Sequence, residues 1–163
     1  DQQVWVVSGL QDLVVLKSTG SGFEGFLKDK YTTLQETTDR IMATSLTARW
    51  RYASTEGVDF NAVYEDVKKH LLKEFAVNYS RALQETLYLM GKAALEAHPE
   101  IAEIKFSAPN KHHFLYDLAP FGLEYNGEVF IAADRPYGLI EATVTRDDAG
   151  DPGLAWTAVP SFI

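Results

Sequence analysis

Two amphipathic helices, predicted back to back over residues 58–97, limit the folds open to this chain more than any other feature. Asp59 is a good N-cap for the first helix. The second helix runs from about Arg81 to Ala97, because Pro99 prevents it from continuing. The apolar residues recur at helical spacing: Phe60, Val63, Tyr64, Val67, Leu71 and Phe75, then Leu83, Leu87, Met90, Ala94 and Leu95. Since each helix has one apolar face, both are predicted to pack against another layer.

The remaining apolar residues alternate with a period of two, which is typical of strands. They occupy residues 3–18, 40–52, 101–108, 128–133 and 139–145. Turn or bulge residues interrupt the first segment, and its four consecutive apolar residues 13–16 predict a stretch covered on both faces. Short links between the segments favour an antiparallel β-sheet with two helices on one face, an α+β fold.

Two smaller expectations concern residues outside these repeats. His70 and His98 lie on or near predicted helix ends, so we expect both in solvent. Trp156 and Phe162 in the tail are expected to pack on a neighbouring chain or on the edge of their own domain.

Composition excludes several classes of protein. The 163 residues are enough for one domain, and 46% are hydrophobic. A net charge of -8 disfavours a general nucleic-acid binder, and no apolar run is long enough to predict a membrane span. The absence of cysteine excludes a thiol nucleophile and a cysteine metal site. The chain begins at Asp1 without a signal peptide, which is typical of a fragment or a processed product.

A cluster of polar side chains follows the predicted strand 101–108. If that strand continues past Pro109, then Asn110, His112 and Phe114 share one face. An amide beside an imidazole can hold a small polar molecule or a water and can move a proton. The alternative is an ordinary strand end with polar residues in solvent.

Phe23 and Arg40 are two further candidates. A phenylalanine at the end of a loop either plugs the core or forms a flat wall for a planar ring. Arg40 precedes a strand, where its planar guanidinium could grip two acceptors at once. The alternative for Arg40 is a surface ion pair with Asp39 or Glu36, which contributes little to stability.

Gln84 lies in the first turn of the second helix, where backbone N–H groups and the positive end of the helix dipole suit an anion. A glutamine side chain both donates and accepts, which fits the edge of a purine. The alternative is an ordinary surface glutamine.

Five segments together resemble the uricase (urate oxidase) family, and they resemble only the second half of its subunit. They are residues 21–26 (SGFEGF), 29–34 (DKYTTL), 38–40 (TDR), 110–112 (NKH) and 136–141 (PYGLIE). The resemblance implies that residues 1–163 form a single unit of the tunnelling fold (T-fold). In that family two such units make one subunit, and several units close into a multimeric barrel.

The resemblance also implies a reaction: oxidation of urate by dioxygen to 5-hydroxyisourate and hydrogen peroxide, without metal or organic cofactor. It implies that Phe23 stacks on the purine, and that Arg40 and Gln84 hold its edges together with the backbone of Leu83. Asn110 would hold oxygen or water above the ring, and His112 would relay a proton. Leu83 departs from the family, which commonly carries an apolar residue branched at Cβ before the glutamine.

A lysine and a threonine that activate substrate and water in this family come from the first half of the subunit, and this chain shows no counterpart. We therefore expect the chain to be inactive alone and to need a partner carrying the first unit. A tetramer-type homo-oligomer is implied. The tail does not end in a peroxisomal address, so the expected location is cytoplasmic.

Two other classes of protein remain open from the sequence. One is a T-fold enzyme acting on pterins or guanine nucleotides through a zinc site of histidines, although the four histidines show no convincing ligand triad. The other is a non-catalytic purine-binding or structural subunit.

Overall fold

One four-stranded sheet and two helices account for most of the regular secondary structure in this computed structural model, which describes residues 3–124 and 127–160. The elements are β1 (Val7–Lys17), β2 (Met42–Tyr52), α1 (Phe60–Val77), α2 (Leu83–Ala97), β3 (Ile101–Pro109), β4 (His113–Leu115), a 3-10 turn (Ala119–Phe121), β5 (Phe130–Ala132) and β6 (Leu139–Thr145). The strands run antiparallel in the order β1-β2-β3-β6, and β4 pairs with β5 in a separate hairpin. The predicted antiparallel α+β arrangement is confirmed.

The core lies between the two helices and one face of the sheet. Trp50 of β2, Phe106 of β3, Leu71 of α1 and Leu87 of α2 are all 0% exposed. The side chain of Asp59 caps α1 by accepting hydrogen bonds from two backbone N–H groups of the first turn. Both predicted helices are therefore present, and their apolar stripes cover one face of the sheet.

The first strand contains a bulge, one of its two expected interruptions, but it lacks the expected cover on both faces. It is one continuous strand with a bulge, where the register shifts between Leu10 and Leu13 and Asp12 takes a positive φ of 54°. Val14 and Leu16 are 69% and 53% exposed on the side of the sheet away from the helices, so the expectation of cover on both faces is wrong for the chain by itself. The helices cover only the alternate residues, Leu13 and Val15.

The prediction for His98 is also wrong. This residue is 9% exposed, with Nδ1 3.0 Å from Oε1 of Glu100 and Nε2 3.0 Å from Oδ2 of Asp66. Two carboxylates brought together by α1 and the turn after α2 hold the imidazole at the domain surface. His70 is half-buried beside the same Asp66.

The tail folds back over the face of the sheet that the helices leave open. Nε1 of Trp156 donates to Oε1 of Glu103 at 2.7 Å, and Arg51 donates to the same oxygen at 2.8 Å. Trp156 thus packs on its own domain, as one of its two expected arrangements. Phe162 lies outside the described residues. Among the described residues, neither helix is long and apolar enough to cross a membrane.

Candidate active site

The loop between β1 and β2 is fixed at several points by hydrogen bonds. The carboxylate of Asp39 accepts from the hydroxyl of Thr19 and from the backbone N–H of Gly20, at 2.9 to 3.0 Å. Farther along, Phe23 and Thr37 exchange two backbone hydrogen bonds of 2.7 and 3.1 Å. These contacts hold the backbone of Phe23 in place without help from the core.

Arg40 lies against the ring of Phe23. Its guanidinium carbon is 5.1 Å from the ring centroid, within range of a cation–π interaction. Nε of Arg40 is buried and has no hydrogen-bond partner among the described residues. Burial lowers the pKa of Arg40, and Tyr79 acts in the opposite direction. Glu36 and Asp39, the expected partners in a surface ion pair, are bound to other groups.

Strand β3 ends at Pro109, so the condition under which Asn110, His112 and Phe114 would share one face of a strand is not met. Each residue of this short segment is instead held by a backbone contact. Asn110 donates to the carbonyl of Gly138 at 2.8 Å, and the carbonyl of His112 accepts from Ala133 at 2.9 Å. Pro109 has no backbone N–H, which favours the end of the ladder at this point.

The environment of His112 favours its neutral form. Partial burial lowers the pKa of His112, and electrostatic interactions with Arg40 and then His113 lower it further. Its ring stacks on that of Phe114, with centroids 5.8 Å apart. A neutral imidazole near a cation can accept a proton, which is the role that the sequence predicts for it.

Leu83 and Gln84 are the first two residues of α2. Leu83 is buried and Gln84 is exposed, and Ala82 before them makes no side-chain capping bond. The first turn of an uncapped helix has backbone N–H groups to offer to a ligand. Ser80 connects this end of α2 to the Phe23 loop, because it exchanges backbone hydrogen bonds with Gly20 and Gly22 at 2.9 and 2.8 Å.

The structure therefore brings Phe23, Arg40 and His112 together and connects their loop to the start of α2. In the part of the chain that the structure describes, the side-chain amides of Gln84 and Asn110 make no hydrogen bond. The ligand roles of all six residues remain predictions.

Sequence reasoning missed Tyr79, which it treated only as part of the break between the helices. Its hydroxyl donates to the carbonyl of Thr38 at 2.7 Å, two residues before Arg40. No sequence pattern marks it, because the loop that it contacts lies about forty residues or more away along the chain. Within residues 3–124 and 127–160, no three His, Asp or Glu side chains are arranged to hold a metal ion.

Known proteins resemble this chain in sequence and in fold. A sequence model of the family described as Uricase matches residues 6–141. A uricase from Arthrobacter globiformis is 60% identical over 157 residues, which is 96% of this chain and 52% of the relative. A uricase from Dictyostelium discoideum is 45% identical over 146 residues, 90% of this chain and 50% of the relative. The crystal structure of the Arthrobacter globiformis uricase superposes with a TM-score of 0.90 at 61% identity, covering 94% of this chain and 53% of that one.

The antiparallel sheet with two helices on one face is thus a T-fold unit. The chain belongs to the uricase family. It spans about half the length of the curated relatives that it matches.

Proposed function

We propose that this chain is the second half of a urate oxidase and that urate binds beside Phe23 and Arg40. The observation that carries the proposal is the buried Nε of Arg40, which has no hydrogen-bond partner among the described residues. An unpaired buried donor is costly, and an acceptor on a bound ligand would remove that cost. Urate is planar and anionic and offers carbonyl oxygens and ring nitrogens, which match a planar guanidinium.

The ring of Phe23 would form the flat wall of this site. Two groups already contact it: Phe26 stacks on it with centroids 4.9 Å apart, and the guanidinium of Arg40 lies at 5.1 Å. We therefore infer that urate takes the ring face beside Arg40. The guanidinium would then move to the edge of the purine, where both its charge and its Nε are satisfied.

The opposite edge of the purine would lie at the start of α2. There the side chain of Gln84 and the backbone N–H of Leu83 can donate, and the helix dipole favours the negative charge of urate. Leucine can replace the residue branched at Cβ that the family commonly carries here, because this scheme uses only the backbone of Leu83.

In the proposed reaction, urate, dioxygen and water give 5-hydroxyisourate and hydrogen peroxide. Asn110 would hold oxygen or water above the ring. His112 would accept a proton from that water or pass it on, because its lowered pKa keeps the imidazole neutral near pH 7. We propose no metal or organic cofactor, since deprotonated urate is itself electron-rich.

A first-half unit would complete the site with a lysine and a threonine. Three surface features support such a partner. Val14 and Leu16 are exposed apolar residues on the open face of the sheet, beside a cleft of about 550 Å³. β1 and β6 are edge strands of the sheet, and closure into a tetramer-type barrel would cover these edges. Residues 1–163 would then be the second T-fold unit of that subunit.

The test is loss of urate ultraviolet absorbance coupled to release of peroxide. It compares the chain alone with the chain plus a first-half unit, for which the corresponding half of the Arthrobacter globiformis uricase is suitable. We expect turnover only in the mixture, and we expect a chelator to leave it unchanged.

Turnover by the chain alone would contradict the missing lysine and threonine. Absence of turnover in the mixture, with folding and assembly verified, would overturn the enzymatic proposal. Urate binding in that mixture without turnover would favour a non-catalytic purine-binding subunit. Lys69→Ala changes a residue on the exposed face of α1 and serves as a control substitution. The mixture that contains this variant should retain full activity.

A further inference from the structure

Tyr79 contacts the turn that carries Arg40. It lies in the segment between α1 and α2, and its hydroxyl donates to the carbonyl of Thr38 at 2.7 Å. Arg40 follows two residues later and is itself held by a hydrogen bond of 2.8 Å from its N–H to the carbonyl of Ser21. The two contacts fix the backbone on both sides of Asp39.

The same hydroxyl also lies against the segment that carries Phe23. A Cβ added to Gly22 would come within 2.3 Å of Oη of Tyr79 and 3.0 Å of the carbonyl oxygen of Thr37. Only glycine allows this close approach. The phenol therefore lies between the two backbone segments from which Phe23 and Arg40 project.

Tyr79 also interacts electrostatically with Arg40. Tyr79 raises the pKa of Arg40, in opposition to the larger lowering caused by burial. Tyr79 itself is 52% exposed, so its ring contributes little to the hydrophobic core. Loss of the hydroxyl alone should therefore leave the fold intact.

We propose that Tyr79 is a positioning residue. Its hydroxyl donates to the Thr38 carbonyl and packs against Gly22, and so sets where the guanidinium of Arg40 meets a ligand stacked on Phe23. The proposal rests on the urate oxidase function proposed above. Tyr79 acts through Arg40 and need not contact urate.

The test is steady-state kinetics of Tyr79→Phe in the assembly of this chain with a first-half unit. A neutral hydrogen bond is lost, so the KM for urate should rise about three- to tenfold. Because Arg40 and Phe23 hold urate equally in the ground and transition states, kcat should change by less than about twofold. The melting temperature should stay unchanged.

Tyr88→Phe is the matched control. Tyr88 is 55% exposed on α2 and makes no hydrogen bond in the described part of the chain, so its hydroxyl should be dispensable. An unchanged KM in Tyr79→Phe would overturn the proposal. A lowered melting temperature or failure to fold would also overturn it, because Tyr79 would then be a structural residue. If the unmodified assembly did not oxidise urate, the proposed function itself would fail first.

A second variant tests the close approach. Gly22→Ala should raise the KM strongly in the natural background, because the new methyl displaces the phenol. In the Tyr79→Phe background the nearest obstructing atom is gone, so the same change should raise the KM less. Equal fold-changes in the two backgrounds would show that the hydroxyl does not set the geometry.

Discussion

The core between the helices and the sheet differs from the loop region around Phe23, Arg40 and His112 in the extent to which buried groups find partners within the chain. The core is closed by residues such as Trp50 and Phe106, each 0% exposed. The loop region holds a buried cationic donor without a partner among the described residues. Among the residues that the structure describes, the other buried side-chain atom without a partner is a neutral hydroxyl, Oγ1 of Thr44 on β2. The difference teaches that the core is built for stability and the loop region for a ligand.

The largest effect is expected from breaking the core while leaving the loops unchanged. Phe106→Ala should lower the free energy of unfolding by about 3 to 5 kcal/mol, because it removes a fully buried ring and leaves a cavity. Urea denaturation followed by circular dichroism measures this loss. The variant should still place Arg40 against Phe23 in its folded fraction.

The pKa of His112 in that folded fraction is the readout for the loops, because Arg40 and burial both lower it. An unchanged pKa of His112 would show that the loop region keeps its structure independently of the core. A return of the pKa toward its ordinary value would show that the core and the loop region are a single cooperative unit, which contradicts the comparison.

A smaller effect is expected from removing charge near His112. Arg40→Gln should raise the pKa of His112, and His113→Gln should raise it less, since burial and then Arg40 are the larger causes of its lowering. Titration of the imidazole signals by NMR measures both shifts. If neither variant moved the pKa, the guanidinium and the imidazole would not share a site.

The same lowered pKa determines how His112 makes the free energy of unfolding depend on pH. The unfolded chain binds a proton at His112 more readily than the folded chain, with an ordinary pKa of about 6.5. The contribution of His112 to stability is therefore complete above that pH and is lost as the pH falls through the lower pKa of the folded state. A His112→Gln variant should show a weaker loss of stability over this range.

The sequence predicts the core well, because helical periodicity follows directly from burial of one face. Leu83, Leu87, Met90, Ala94 and Leu95 form the predicted stripe of α2, and all five are buried. The run at residues 13–16 is the exception. Its composition predicts cover on two faces, whereas the chain covers only one.

The local arrangement of the candidate site is much less predictable from periodicity. Its loops have no repeat, and Phe23 and Arg40 meet through backbone hydrogen bonds between distant segments. Strand β3 does not continue through Asn110 and His112 for the same reason. This segment forms backbone hydrogen bonds with three separate parts of the chain, at Ala43 of β2, at Ala133 and at Gly138. Residue chemistry marks five of the six candidates, but their specific roles follow from family resemblance, and no pattern marks Tyr79.

Arg40→Ala in the assembly with a first-half unit is the most direct test of the central claim, that the guanidinium of Arg40, with its buried and unpaired Nε, is reserved for a ligand. We expect kcat/KM for urate to fall by about a hundredfold or more, because charged hydrogen bonds to the purine are lost. The free energy of unfolding should change by less than about 1 kcal/mol, since loss of the cation–π contact is offset by removal of the buried Nε donor, which has no hydrogen-bond partner among the described residues. Retained turnover, or turnover lost only together with folding, would contradict the claim.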